Sequence, residues 1–268
     1  AHPVWLAGFS QNRRATAIHD DLWAVAVVID DGYTRLAIVS LDSIGIFHDD
    51  VLALRAQLGR ELGLTYTIVC ATHNHSTPDL MGLWGPNPLR TGVDPAYRTQ
   101  VLTTAAQTVA QATAALTEAR LALHEVPVPP TGLLADTRLP LVFDSDLRVM
   151  HFTAASDGHT LGSIVTCGNH PETPWSKNTE ITSDFCGALR TALEQGVTPT
   201  GQPPLPGLGG IHCFINGAVG GLMTTHPSVT VCDPVTGKDL KTPSHDKSRA
   251  VGQQLALRLL PVLRAPSP

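Results

Sequence analysis

Two imidazoles lie two residues apart in Thr72-His73-Asn74-His75-Ser76, directly after the apolar, β-branched run 65–71. Alternate side chains of an extended segment face the same way, so such a pair can meet a single ion. A third imidazole, His170, stands in Gly168-Asn169-His170-Pro171-Glu172, again just past an apolar stretch at 160–167. Strand ends are where α/β sheets gather ligands and reacting groups. The chemistry these residues offer is a metal centre; the alternative is a chance histidine pair and a His170 that only hydrogen-bonds in the turn before Pro171. Glu172 is open to two readings, an outer partner of the site or a solvated carboxylate. Asn216-Gly217-Ala218-Val219-Gly220-Gly221 follows a further apolar run, and its small residues let main-chain amides approach a ligand, as a plain tight turn would. It lacks the lysine and spacing of a phosphate-binding loop.

The elements that must position these residues follow from periodicity. Runs at 22–30 and 34–42 flank Asp31-Gly32 and read as two adjacent strands of a hairpin. Asp49 or Asp50 can cap a helix reaching residue 62, and 65–71 returns as a strand. Over 94–119, Tyr97, Val101, Ala105, Val109, Ala112 and Leu116 recur at helical spacing behind Asp94 as a cap and Pro95 in the first turn. Strands are expected at 120–126, 148–155, 160–167 and 210–215, and a helix at 183–194. The Pro- and Gly-rich segment 196–210 reads as a surface loop, and 247–263 places Val251, Leu255, Leu259 and Val262 at helical spacing. The fold class is therefore α/β, a mixed sheet flanked by helices with the site at strand ends.

Composition narrows the partners. The chain has 268 residues, 18 basic and 23 acidic, for a net charge of -5, and no run of Lys or Arg to follow a phosphate backbone, so nucleic acid is not expected. The longest apolar run, 22–29, is too short to span a bilayer. Five cysteines lie far apart without a Cys-x-x-Cys pair. At least one must be unpaired, and Cys70, Cys167 and Cys213 read as small buried thiols.

In order along the chain, Leu6-Ala7-Gly8-Phe9, Asn12-Arg13, His19-Asp20, Val39-Ser40-Leu41-Asp42, Ala71-Thr72-His73-Asn74-His75-Ser76-Thr77-Pro78, Asn169-His170-Pro171-Glu172, Thr182-Ser183-Asp184-Phe185 and Phe214-Ile215-Asn216-Gly217-Ala218 resemble the N-terminal catalytic region of the neutral/alkaline non-lysosomal ceramidases. Gly82-Leu83-Trp84-Gly85 and Gly92-Val93-Asp94-Pro95 match more loosely. The resemblance covers essentially the whole chain. It implies one catalytic region over 1–268 lacking its C-terminal portion, with zinc on His73 and His170, His75 as acid/base and Arg138 near the site. The implied reaction is cleavage of an N-acyl amide bond of a ceramide-like lipid by metal-activated water, in a secreted or periplasmic protein.

Three departures qualify that reading. Thr77 replaces the usual glycine of the signature, and Leu222-Met223-Thr224 stands where these enzymes carry a serine, which weakens a strict ceramidase more than hydrolysis. The glutamate and tyrosine that complete the family's zinc site have no counterpart here. Catalytic zinc usually has three protein ligands. Asp42, His226, Asp233 or His245, a second chain, or a missing C-terminal segment would have to complete the set. The alternatives are a zinc esterase or amidase on another small acylated substrate, and a metal-binding but catalytically incomplete module.

Overall fold

A computed structural model describes residues 4–220 and 223–265. They form two compact units, one from the chain up to Thr117 together with Asn178–Ser183, the other from Glu118–Lys177 and the chain from Asp184 onward.

The first unit is a three-stranded sheet with helices on one face. Strands β1 (Ala24–Asp30) and β2 (Arg35–Leu41) pair antiparallel around the Asp31-Gly32 turn, with Asp30 opposite Arg35. The turn closes because Asp31 Oδ1 accepts the amides of Tyr33 and Thr34 at 2.9 and 2.7 Å. Helix α1 (His48–Arg55) then carries the chain back so that β3 (Tyr66–Ala71) pairs parallel to β2. The N-cap of α1 is Phe47 without a side-chain cap; Asp49 and Asp50 fall in the first turn instead, where their charge suits the helix dipole. The expected continuation to residue 62 is broken, and only a short 3-10 turn, Arg60–Leu62, lies beyond it between Gly59 and Gly63. Helix α2 (Pro95–Ala114) is capped by Asp94, whose Oδ1 accepts from the amides of Ala96 and Tyr97. Ala37, Val39 and Leu41 of β2 pack with Leu54 of α1 and with Leu102, Ala105 and Val109 of α2.

The second unit is a four-stranded sheet. Strands β4 (Ala119–Val126), β6 (Leu147–Ala154), β7 (Thr160–Cys167) and β8 (Ile211–Asn216) lie in the order β8-β7-β6-β4, and only β7 and β8 are parallel. Helix α3 (Asp184–Gln195) makes the crossover between that parallel pair, and α4 (His245–Arg264) packs against it. Leu147, Val149, Val165, Cys167 and Phe214 of the sheet meet Phe185, Leu189 and Leu193 of α3 and Val251, Leu255 and Leu259 of α4. A two-residue ladder joins β5 (Ala135–Asp136) to β9 (Met223–Thr224). The segment expected as loop at 196–210 contains a small ladder of its own, Gly196–Val197 against Leu205–Pro206. The architecture is α/β: among the described residues, mixed sheets are flanked by four α-helices.

Candidate metal centre

Strand β3 ends at Ala71, and the histidine doublet begins two residues later. The rings of His73 and His75 meet edge-on, with Nε2 3.5 Å from Nε2 and a 79° angle between planes. The expected extended alternation is not the reason. His73 has a φ of 66°, in the left-handed region, so a turn rather than a strand brings the rings together. Asn74 holds that turn: its amide donates to Ser43 O at 3.0 Å, its Oδ1 accepts the Ser76 amide at 2.8 Å, and its Nδ2 donates to Thr182 O at 2.7 Å.

His73 Nδ1 lies 2.8 Å from the carbonyl oxygen of Ile44. A carbonyl only accepts, so Nδ1 carries a proton, and in the neutral imidazole Nε2 then presents its lone pair toward His75. Two imidazole nitrogens bound tetrahedrally to one zinc at about 2.0–2.1 Å would be roughly 3.3 Å apart. The observed spacing of the pair is compatible with a shared ion.

His75 is gripped by the start of the chain. Arg13 donates to the carbonyls of Ala7 and His75, Phe9 meets the His75 ring edge-on at 5.2 Å, and the Arg13 guanidinium stands 5.1 Å from the Phe9 ring centroid. Phe9 and Asn12 take positive φ, at 56° and 58°, to make this fold-back. Asp20 pins the segment 178–183 within the same unit by accepting from Thr182 Oγ1 and from the Ser183 amide and hydroxyl. Those bonds hold its carboxyl below the usual range against the opposing effect of burial.

In the second unit His170 lies three residues past the end of β7 and is buried. Its amide and its Nδ1 both donate to the carbonyl of Met223, at 2.9 and 2.8 Å, and it bridges to Thr224 of β9. As with His73, the contact places a proton on Nδ1, and in the neutral ring the lone pair lies on Nε2. Asn169 and Asn216 knit the ends of β7 and β8 together: Asn216 Nδ2 donates to Asn169 O at 2.9 Å, and Asn169 Nδ2 donates to Thr225 Oγ1 at 3.2 Å. The motifs around residues 169 and 216 are therefore adjacent. Of the glycine-rich run, Gly221 lies outside the described residues, as does Leu222.

Arg138 is exposed, on the loop between β5 and β6, with its amide donating to Asp136 Oδ1 at 3.0 Å. Glu172 is buried and donates its amide to His170 O. Among the four residues considered as substitute ligands, Asp42 accepts the Trp23 amide at 2.9 Å, and His226 Nδ1 is 2.7 Å from Ser228 Oγ. Asp233 accepts from Arg249 and from the amides of Val235 and Thr236, and His245 opens α4.

Sequence reading missed the groups that orient the imidazoles. The carbonyls of Ile44 and Met223 have no side-chain signature, and the grip of Gly8, Phe9 and Arg13 on His75 spans most of seventy positions of chain. Only the opening Leu6-Ala7-Gly8-Phe9 match hinted that this segment mattered.

No protein-family model and no curated protein matches the sequence. Among solved structures, the chain is similar to neutral ceramidase from Pseudomonas aeruginosa, with a TM-score of 0.75 at 20% identity, covering 95% of this chain and 41% of that one. A ceramidase structure described as complexed with C2 gives a TM-score of 0.74 at 19% identity, covering 96% of this chain and 40% of that one. The chain thus spans about two-fifths of the length of these structures. At such identity the likeness is one of fold: the chain has a ceramidase-like fold.

Proposed function

We propose that residues 1–268 act as one catalytic region of a zinc-dependent hydrolase that cleaves the N-acyl amide bond of a ceramide-like lipid, with His73 and His170 as zinc ligands. The observation that carries this reading is the shared tautomer of the two histidines, each donating Nδ1–H to a main-chain carbonyl and so presenting Nε2 as a ligand atom. The likeness in fold to neutral ceramidase supports a ceramide-like substrate in this reading. Location outside the cytosol belongs to the same reading; among the described residues no helix is long and apolar enough to cross a membrane.

A zinc ion, when bound, supplies Lewis acidity, polarising a carbonyl oxygen and making water reactive at neutral pH. The chain's own residues do the rest. His73 and His170 hold the ion in place through rings that cannot turn without breaking their carbonyl bonds. His75, clamped by Phe9 and Arg13, carries a proton at Nε2 and delivers it to the leaving amine. Arg138, the other catalytic residue of this reading, is a cation on the exposed loop between β5 and β6. Met223 and Thr224, where a serine is absent, serve to seat His170 through main-chain bonds. A third ligand from a further segment or a second chain would strengthen that hold; His73 and His170 are the part of the ligand set by which this chain retains the ion.

The 3.5 Å separation of the His73 and His75 nitrogens favours a second assignment, with His75 as a third ligand. Three imidazoles and an open position would make a catalytic zinc site without outside help. One experiment separates these assignments: zinc content of the purified chain after dialysis against metal-free buffer, beside His73→Ala, His170→Ala and His75→Gln. The expected result is near-stoichiometric zinc, lost in the first two variants and kept in the third, which fails only in releasing fatty acid from N-acyl lipids. Loss in all three assigns His75 to the metal. Zinc without hydrolysis of any acyl substrate identifies a metal-binding module, and a chain that retains no zinc overturns the proposal.

A further inference from the structure

The loop between β5 and β6 turns an apolar surface outward. Leu139, Leu141, Val142 and Phe143 are 84, 57, 62 and 41% exposed, whereas large exposed apolar side chains elsewhere stand singly, as Tyr33 and Leu89 do, or in alternate pairs on a strand, as Tyr66 with Ile68 and Leu121 with Leu123 do. Clustered exposure of this kind opposes solubility and marks a contact surface. We propose that this loop docks the protein on a lipid bilayer, inserting Leu139, Leu141, Val142 and Phe143 into the interfacial part of the apolar phase.

Its construction fits that occupant. Residues 137–143 contain no acidic side chain, and their one charge, Arg138, sits at the root of the apolar tip, where a long cationic side chain can reach phosphate groups while its stem stays in apolar surroundings. Lipid offers no partner to main-chain amides, so an inserting loop must satisfy its own. Asp136 satisfies two of them, one on each side of the tip: Oδ1 accepts the Arg138 amide at 3.0 Å and Oδ2 the Val142 amide at 2.8 Å. The same bonds hold its carboxyl below the usual range, so the tether persists at neutral and mildly acid pH.

The loop is anchored beside His170. Ala135 pairs with Thr224, which also bridges to His170; at the other end the Asp144 amide donates to Met223 Sδ at 3.1 Å, and Asp144 O accepts the Gly168 amide at 2.9 Å. Docking would therefore bring the His170 strand end close to the membrane surface. The projecting side chains come from a tethered tip rather than a groove or a flat sheet face, which suits a deformable lipid phase better than a second folded surface.

The test is co-sedimentation of the full chain with phosphatidylcholine vesicles, beside a Leu141→Glu/Val142→Glu variant and, as a milder change, Leu141→Ala/Val142→Ala. Both pairs lie at exposed positions, and a thermal melt checks that each variant folds. The expected outcome is binding by the unmodified chain, reduced about tenfold or more by the acidic pair and less by the alanine pair. Against the background of the four native tryptophans, measured in the unmodified chain, a Leu141→Trp variant should add emission that shifts to the blue on vesicles and is quenched by lipids brominated along the acyl chain. Three results overturn the proposal: no vesicle binding by the unmodified chain, binding unaffected by the acidic pair, or self-association in lipid-free buffer that the acidic pair abolishes, which would make a second copy the occupant. Partition requires no turnover, so vesicle binding by a chain that hydrolyses nothing would leave the docking loop standing and count only against the catalytic reading.

Discussion

Gly8 lies directly against the imidazole of His75: a Cβ built on residue 8 would stand 2.7 Å from both Cγ and Nδ1 of that ring. Gly8 also has a φ of +78°, which a side chain rarely adopts. The absence of a side chain at this position is what lets the opening segment close over the histidine.

Gly8→Ala should therefore lose stability through both the backbone and the contact, by about 1–3 kcal/mol. Gly32, with a φ of +87° and nothing within 4 Å of its virtual Cβ, isolates the backbone share, so Gly32→Ala should cost less, about 1 kcal/mol. Urea midpoints of the two variants make the comparison. Equal losses would show that the approach of Gly8 to His75 contributes nothing.

A second expectation concerns acid stability. His212 is buried in the second unit, where Ser163 Oγ donates to its Nδ1 at 2.8 Å and its Nε2 donates to Gly209 O at 2.9 Å. Burial lowers its pKa to about 4, with the neighbouring His151 acting in the same direction against the Gly209 bond. In the unfolded chain it titrates near about 6.5. Between those values the unfolded state takes up a proton that the folded state refuses, so stability rises with pH there. The full contribution is present above about pH 6.5 and falls away toward pH 4, by up to roughly 3 kcal/mol. His151, also lowered by burial, adds in the same direction. His212→Gln should flatten this limb in urea unfolding at successive pH values, and an unchanged slope would assign the acid sensitivity elsewhere.

The thiols give a third. The five cysteines are thiols outside any disulfide, with Cys232 exposed, Cys70 half-buried and Cys167, Cys186 and Cys213 buried. Burial, assisted by Asp144, pushes the Cys167 thiol up to about 12, and burial also raises Cys70. Since the thiolate is the reactive form, a chromogenic disulfide reagent at neutral pH should modify Cys232 quickly and the others only after unfolding. Cys232→Ser should remove the fast phase; a second fast thiol would contradict the packing at Cys70 or in the core of the second unit.

How far the chain could be read in advance depended on the range of the interactions involved. Asp31-Gly32 between two β-branched runs implied the β1–β2 hairpin because a turn and its flanking strands are a local matter, and the structure pairs those strands with Asp30 opposite Arg35. Asp94 before Pro95 marked the start of α2 for the same reason. The end of that helix was misplaced, since Leu116 continues the helical spacing while residues 119–126 are drawn into pairing with β6. Apolar runs at 65–71 and 160–167 identified the strands that deliver His73 and His170, and these are the parallel-paired β3 and β7.

By itself, then, the sequence determined the α/β class, most of the principal strands and helices, and the three imidazoles that merit attention, because each rests on residue type and short-range periodicity. Only the tertiary structure decided how those imidazoles are oriented. The left-handed turn at His73, the carbonyls of Ile44 and Met223 that hold a proton on each Nδ1, and the closure of Gly8, Phe9 and Arg13 on His75 join main-chain groups and segments far apart in the chain. Main-chain carbonyls are the same at every residue, so which of them meets a given ring is settled by packing alone.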